Sequence, residues 1–216
     1  MNDQCVPYCR AVPQSCPNHV LLVRHGPTEW SAQGRHTGRT DIGLTDRGRE
    51  MTEGLRPLLY RLIDSRHIDP PQPPIVFTSP LQRCRQTAQL ALPEYEPEEV
   101  TQLVEVDYGE YEGLTTTAIM ERHPGWELFA DGCPGGESMV AVSARCDSVI
   151  AKLERMATGR TVVIFTHGHF SRALTARMLG LPVTAASALY NETATIGVLD
   201  NRRGQLVLTG WNIAAD

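Results

Sequence analysis

Four stretches of this 216-residue chain put chemistry-bearing side chains in or just after an apolar run. Val20-Leu21-Leu22-Val23 breaks into Arg24-His25-Gly26. Ile75-Val76-Phe77-Thr78 runs into Ser79-Pro80-Leu81-Gln82-Arg83. Val100 to Val106 carries Glu105, and Thr161 to Thr166 ends in His167-Gly168-His169. Arg24, His25, Arg83, Glu105 and His167 supply two guanidiniums, two imidazoles and a carboxylate, a set that suits phosphoryl transfer. Guanidinium forks hold the non-bridging oxygens of a phosphate. A neutral imidazole is a nucleophile, and a carboxyl group can protonate a leaving alkoxide. His25 is the candidate nucleophile, with Arg24 beside it to keep its ring uncharged. Glu105 is the candidate proton donor, and His167 a hydrogen-bond donor to the transferring group.

Taken singly, each residue has a plainer reading: a satisfied turn histidine, a solvated arginine, a surface carboxylate. Five such coincidences would have to hold at once. A metal site is the competing chemistry, since His25, His167, His169 and Glu105 could hold zinc or manganese. Neighbouring arginines would repel a dication, and no helical HExxH pattern is present. These features favour phosphoryl transfer by the side chains themselves over a metal site.

For these groups to meet, the elements that carry them must share one edge. Short continuous apolar runs read as strands buried on both faces, and open parallel sheets bind ligands beyond the carboxyl ends of their strands. The patterning predicts strands at about His19–Arg24, Ile75–Thr78, Val100–Val106 and Thr161–Thr166. It predicts a helix capped by Thr45 and running to about Ile63, kinked or split at Pro57. Another is capped by Ser79, with Pro80 in its first position, and stops near Pro93. Further helices fall near 114–120, from Val142 to Met156, and over Ala173 to Leu179. A hairpin pairs Ile196–Leu199 with Leu206–Leu208 around Asn201-Arg202-Arg203-Gly204. Pro27 to Leu44 reads as a long loop bearing Thr28, Ser31, Arg35, His36, Thr37 and Arg39, donors compatible with phosphate. A loop of that length in a compact domain is usually functional. Strand–helix alternation gives the fold class as α/β, a mostly parallel central sheet with helices on both faces.

The length suits one domain, assigned to 18–216, behind a loose Cys- and Pro-rich extension, 1–17. The net charge of −5 argues against a nucleic-acid partner. Lys152 is the single lysine among 20 basic residues, and arginine suits bidentate phosphate binding. No stretch is apolar enough to span a bilayer, and the first residues have no apolar core of the signal-peptide kind. The expectation is a cytoplasmic protein acting on a small phosphorylated molecule, without a membrane partner; a homo-oligomer is neither required nor excluded. The six cysteines show no CxxC spacing, which favours free thiols in the extension over a zinc site.

Arg24-His25-Gly26-Pro27-Thr28, the Ser79-to-Arg83 helix start, Glu105 with Tyr108-Gly109, and Thr166-His167-Gly168-His169 together resemble the histidine phosphatase superfamily, in its phosphoglycerate-mutase-like branch. The likeness runs from about Val20 to Asn212. It implies a three-layer α/β/α sandwich and no metal or organic cofactor. It implies a phosphohistidine on His25, a phosphate pocket of Arg24, Arg83 and His167, and Glu105 as proton donor. Thr37 and Gly38 match a turn that contacts substrate, while Tyr108 and His169 match pocket-lining positions. Ser31 stands where many relatives have asparagine, and Pro27 where many have glutamate. The segment after Tyr108 lacks the long basic, proline-rich insertion of the phosphoglycerate mutases. Hydrolysis is therefore expected over mutase activity, and a binding module without turnover is the remaining alternative. The Trp30–Thr45 block is similar to a subgroup of broad acid and sugar-phosphate phosphatases that includes sedoheptulose bisphosphatase.

Overall fold

A computed structural model of the chain describes residues 16–65 and 72–215. The expected extension up to residue 15, with Cys5 and Cys9, lies outside the described residues. Strand β1 spans His19–Arg24, β2 Ile75–Thr78, β3 Glu98–Glu99 and β4 Thr161–Thr166. Strands β5 (Ile196–Arg202) and β6 (Gln205–Ile213) complete one sheet in the order β3-β2-β4-β1-β5-β6. The first four run parallel, whereas β5 is antiparallel to both β1 and β6. All six residues of β4 are buried, as a central strand covered on both faces requires.

Side chains of β1 alternate between two apolar layers. Leu21 and Val23 pack with Leu55 and Leu59 of α2 (Asp46–Asp64) and with Cys84 and Ala88 of α3 (Gln82–Ala91), after the short α1 (Glu29–Ala32). Val20 and Leu22 face the other way. They join a cluster that includes Trp126, Ile119 of α4 (Thr116–Met120) and Phe129 of α5 (Leu128–Asp131). Val142 and Val149 of α6 (Met139–Met156) and Phe170 and Leu174 of α7 (Gly168–Met178) belong to the same cluster. This is the three-layer α/β/α sandwich.

Four local expectations need correction. The loop from Pro27 contains α1, closed by a capping box in which Thr28 and Ser31 satisfy each other's backbone N–H. Helix α2 is one continuous element through Pro57, so the proline does not split it. Pro57 and Glu53, the residue whose carbonyl loses its donor, are both exposed, so water can take that bond. Helix α3 begins at Gln82 rather than beside Ser79. Its first N–H, from Gln82, goes to Asp41 Oδ1 at 2.7 Å, a cap supplied from the distant loop. No strand covers Val100–Val106. After β3 the chain makes a 3₁₀ turn, Thr101–Leu103, and runs on irregularly with its apolar side chains buried.

The C-terminal hairpin turns on Arg203 and Gly204, both left-handed, at φ 57° and 86°. That geometry matches the right-handed twist of the paired strands. Among the described residues no helix is long and apolar enough to cross a membrane.

Candidate active site

In-register parallel pairing sets Arg24 against Thr166. The residues that follow, His25 and His167, therefore emerge side by side, their ring centroids 5.3 Å apart. The His25 backbone is held on both sides: its N–H donates to Thr166 O at 3.0 Å, and its carbonyl accepts from Ala194 N at 3.0 Å. The ring is only 4% exposed. Its Nδ1 lies 2.8 Å from Gly26 O. A carbonyl can only accept, so the neutral ring carries its proton on Nδ1 and keeps a lone pair on Nε2. Burial holds the His25 pKa well below the ordinary imidazole value, with the Arg83 and Arg24 charges adding to it. Gly26 is required for close packing, because a Cβ there would stand 2.4 Å from Thr52 Oγ1 and 2.7 Å from Gly48 O.

Arg24 extends beside His25. Its Nη1 donates to Asn191 O at 2.6 Å, while its buried Nε has no partner among the described residues. The residue lines a cavity, and a guanidinium with hydrogen-bonding capacity to spare suits an oxyanion. Gly168 lets the guanidinium lie there: a Cβ at that position would come within 3.1 Å of Arg24 Cζ and Nε. Gly168→Ala is expected to displace the guanidinium and to lower kcat/KM on a small phosphomonoester roughly tenfold or more, through KM. Thermal unfolding should move little. An unchanged KM would show that Arg24 does not engage the substrate.

Arg83 and His167 sit one layer further in, both 0% exposed. Arg83 donates from Nε to His167 Nδ1 (3.1 Å), from Nη1 to Thr40 O (2.9 Å), and from Nη2 to the carbonyls of Thr37 and Gly38 (3.0 Å each). Since His167 Nδ1 accepts, the neutral ring's proton is on Nε2, 2.8 Å from Ser79 Oγ. In this arrangement the one N–H of His167 faces Ser79, and neither side chain reaches the cavity wall. Ser79, expected as a helix cap, is engaged by this histidine instead.

Glu105 arrives on irregular chain, not at a strand end. Its carboxylate accepts from its neighbour Val106 N (3.0 Å) and from the first turn of α7, His169 N (3.1 Å) and Phe170 N (2.8 Å). A helix N-terminus is a natural seat for such a group. Among the described residues no three His, Cys, Asp or Glu side chains come together as a metal-ligand set.

A family model described as the histidine phosphatase superfamily (branch 1) matches residues 20–214. The chain belongs to this superfamily. It is 43% identical over 197 residues to an acid phosphatase of Mycobacterium tuberculosis, covering 89% of this chain and 93% of that protein. It is 30% identical to the sedoheptulose 1,7-bisphosphatase of Saccharomyces cerevisiae, covering 84% of this chain and 74% of that protein. A solved structure of an open reading frame product from M. tuberculosis superposes with a TM-score of 0.83 at 40% identity, covering 92% of this chain and 99% of that one.

In this histidine phosphatase, Arg24, His25, Glu105, Ser31, Thr37, Tyr108 and His169 line one cavity of about 340 Å³. Gly38 does not line it; its N–H is turned to both carboxylate oxygens of Glu112, at 3.0 Å. A cavity of this size is at the small end of ligand sites, about 300–1,000 Å³. The Tyr108 hydroxyl is 2.6 Å from His169 Nδ1. Burial lowers the His169 pKa well below its ordinary value, helped by Arg172, and lowers that of His36 to about 4. Arg35, His36, Arg172 and Asn191 also line the cavity. Sequence reasoning marked Arg35 and His36 only as loop donors and missed Arg172. The signal for Arg172 was its spacing of three from His169, which puts both on one face of a helix.

Proposed function

We propose that this enzyme hydrolyses small phosphorylated metabolites through a phosphoryl group carried on His25. One observation carries the reading. The His25 Nδ1–H is fixed on Gly26 O, which leaves the Nε2 lone pair as the reactive position of a ring on the cavity wall. Nε2 attacks phosphorus and the bond to the leaving oxygen breaks. Glu105 gives that oxygen its proton. Arg24 holds the non-bridging oxygens, with Arg83 and His167 supporting the site from behind. Glu105 then takes a proton from water as it attacks phosphorus, the P–N bond breaks, and phosphate leaves. The 107–138 segment, with Arg122 as its single basic residue, supports hydrolysis over transfer to a second phosphoglycerate.

The domain assigned to this activity is 18–216. The four described cysteines are free thiols, which supports a reducing, cytoplasmic setting.

The test is phosphate release from alkyl and aryl phosphomonoesters with a chelator present. Turnover should persist. Glu105→Gln should lower kcat/KM on an alkyl phosphate about a hundredfold and on p-nitrophenyl phosphate much less, because nitrophenolate leaves without a proton. Equal losses on both would remove Glu105 as the acid. Complete inhibition by chelator would point to a metal hydrolase.

A further inference from the structure

Arg83 is a fully buried cation that makes no ion pair among the described residues. A buried charge has to be met by hydrogen bonds. Besides His167, its acceptors are the carbonyls of Thr37, Gly38 and Thr40, on the turn that follows His36. A carbonyl and the N–H of the next residue share one rigid trans plane and point opposite ways. In the Thr37–Gly38 peptide the carbonyl accepts from Arg83 Nη2 at 3.0 Å, while the Gly38 N–H faces both carboxylate oxygens of Glu112 at 3.0 Å. The Thr40 N–H also donates to Glu112 Oε1, at 3.1 Å. One peptide plane therefore spans from a carboxylate to a guanidinium. An anion on its N–H and a cation on its C=O polarise it in the same sense, so each strengthens the other's hydrogen bond. Glycine at 38 is what lets the carboxylate come this close: a Cβ there would stand 2.7 Å from Glu112 Oε2 and 2.6 Å from Val106 O.

Glu112 reaches the turn because its own segment is strapped to the same loop. The His36 N–H donates to Leu114 O and the Gly113 N–H to His36 O, at 2.8 Å each, and Arg35 forms an isolated antiparallel bridge with Thr115. Those bonds use backbone alone and do not depend on the carboxylate. On the far side of Arg83 the contacts continue to the reacting groups. Arg83 Nε donates to His167 Nδ1 at 3.1 Å, and the His167 ring centroid stands 5.3 Å from that of His25. Glu112 itself is not on the cavity wall. We propose that Glu112 is a positioning residue: through the Thr37–Gly38 peptide it fixes the Arg83 fork, and through Arg83 it fixes the His167 ring beside the nucleophile. The effect on turnover rests on the phosphatase reading above; the effect on the His167 ring does not.

The test reads the full chain, carrying isotopically labelled histidine, by nitrogen NMR, with the His167 signals assigned from a His167→Asn variant. In the wild type His167 Nδ1 should appear as an unprotonated nitrogen that accepts a hydrogen bond. In Glu112→Ala that signal should move downfield as the Arg83 donor is lost. In the same variant kcat/KM should fall about tenfold, by the same factor on an alkyl phosphate and on p-nitrophenyl phosphate, because the leaving oxygen is not involved. Glu112→Gln should recover part of both effects, since one amide oxygen at the Oε1 position still accepts from Gly38 and Thr40. Glu112→Asp, too short to reach the turn, should behave like alanine. A purely structural Glu112 would lower the melting temperature and leave both the His167 signal and the activity per folded molecule alone. Where Glu112→Ala fails to fold, the glutamine and aspartate variants carry the same comparison. A folded alanine or aspartate variant with an unmoved His167 signal overturns the proposal, whether or not activity falls. So does a moved signal with undiminished kcat/KM, or a loss confined to the alkyl phosphate. A wild type that releases no phosphate from any phosphomonoester overturns the phosphatase reading instead, and the NMR comparison still decides the role of Glu112.

Discussion

Replacing His25 by alanine or asparagine is expected to lower kcat/KM on any small phosphomonoester by about a thousandfold or more. The other nucleophilic groups near the site are engaged elsewhere: His167 is fully buried with Nδ1 on Arg83, His169 has Nδ1 on the Tyr108 hydroxyl, His36 has Nε2 3.3 Å from Thr116 Oγ1, and the Tyr108 phenol is pushed well above its ordinary pKa by burial. Asparagine is the sharper variant, because its side-chain N–H can stand in for Nδ1–H on the Gly26 carbonyl. It keeps that hydrogen bond and removes the Nε2 lone pair. Folding, followed by circular dichroism and thermal unfolding, should stay near wild type for His25→Asn. A variant that folds and turns over at more than a tenth of the wild-type rate would remove His25 from the chemistry.

The second large effect is on stability in acid. His25, His36, His167 and His169 are buried, and burial lowers the pKa of each, that of His36 to about 4. The unfolded chain protonates these rings from about pH 6.5 downward. Between that point and the native pKa the unfolded state binds more protons, so stability falls as pH falls. Each ring removes about 1.4 kcal/mol per pH unit in its window. For His36, between its ordinary 6.5 and about 4, the loss reaches about 3 kcal/mol. A whole domain has only about 5–15 kcal/mol. The melting temperature should therefore drop by about 10 °C or more between pH 7 and pH 5. The chemistry should outlast the fold in this range, because His25 stays neutral and nucleophilic below pH 6.5. In short assays any loss of kcat/KM from nucleophile protonation should set in only well below pH 6.5. A melting temperature flat over that interval would mean that these rings are not neutral in the native protein.

Much of this fold was legible in the sequence. Strands β1, β2 and β4 fall within the predicted bounds because each is an apolar run ended by an abrupt polar break. The Val100–Val106 expectation failed for a related reason. Val100, Leu103, Val104 and Val106 are apolar because they are buried, and burial alone does not require pairing with a neighbouring strand. The start of α3 was misplaced because its cap comes from Asp41 and because Ser79 serves His167, two partners remote in sequence. In the same way the sequence could bring Arg83 and His167 to the right edge of the sheet but could not say how deep they lie. Depth is set by what packs over them: Thr37, Gly38 and Thr40 carbonyls folded back onto Arg83. Arg172 was missed because one arginine on an amphipathic helix looks like any solvated one.

The most direct test is to identify the phosphorylated residue. Glu105→Gln enzyme is mixed with p-nitrophenyl phosphate, quenched in alkali, digested and read by mass spectrometry. This variant can form the intermediate from a good leaving group but cannot easily activate the water that removes it. The phosphoryl group is predicted on His25, absent from His25→Asn, and lost on acid treatment as phosphoramidates are. Continued turnover with no adduct on His25, or an adduct on a different side chain, would contradict the account.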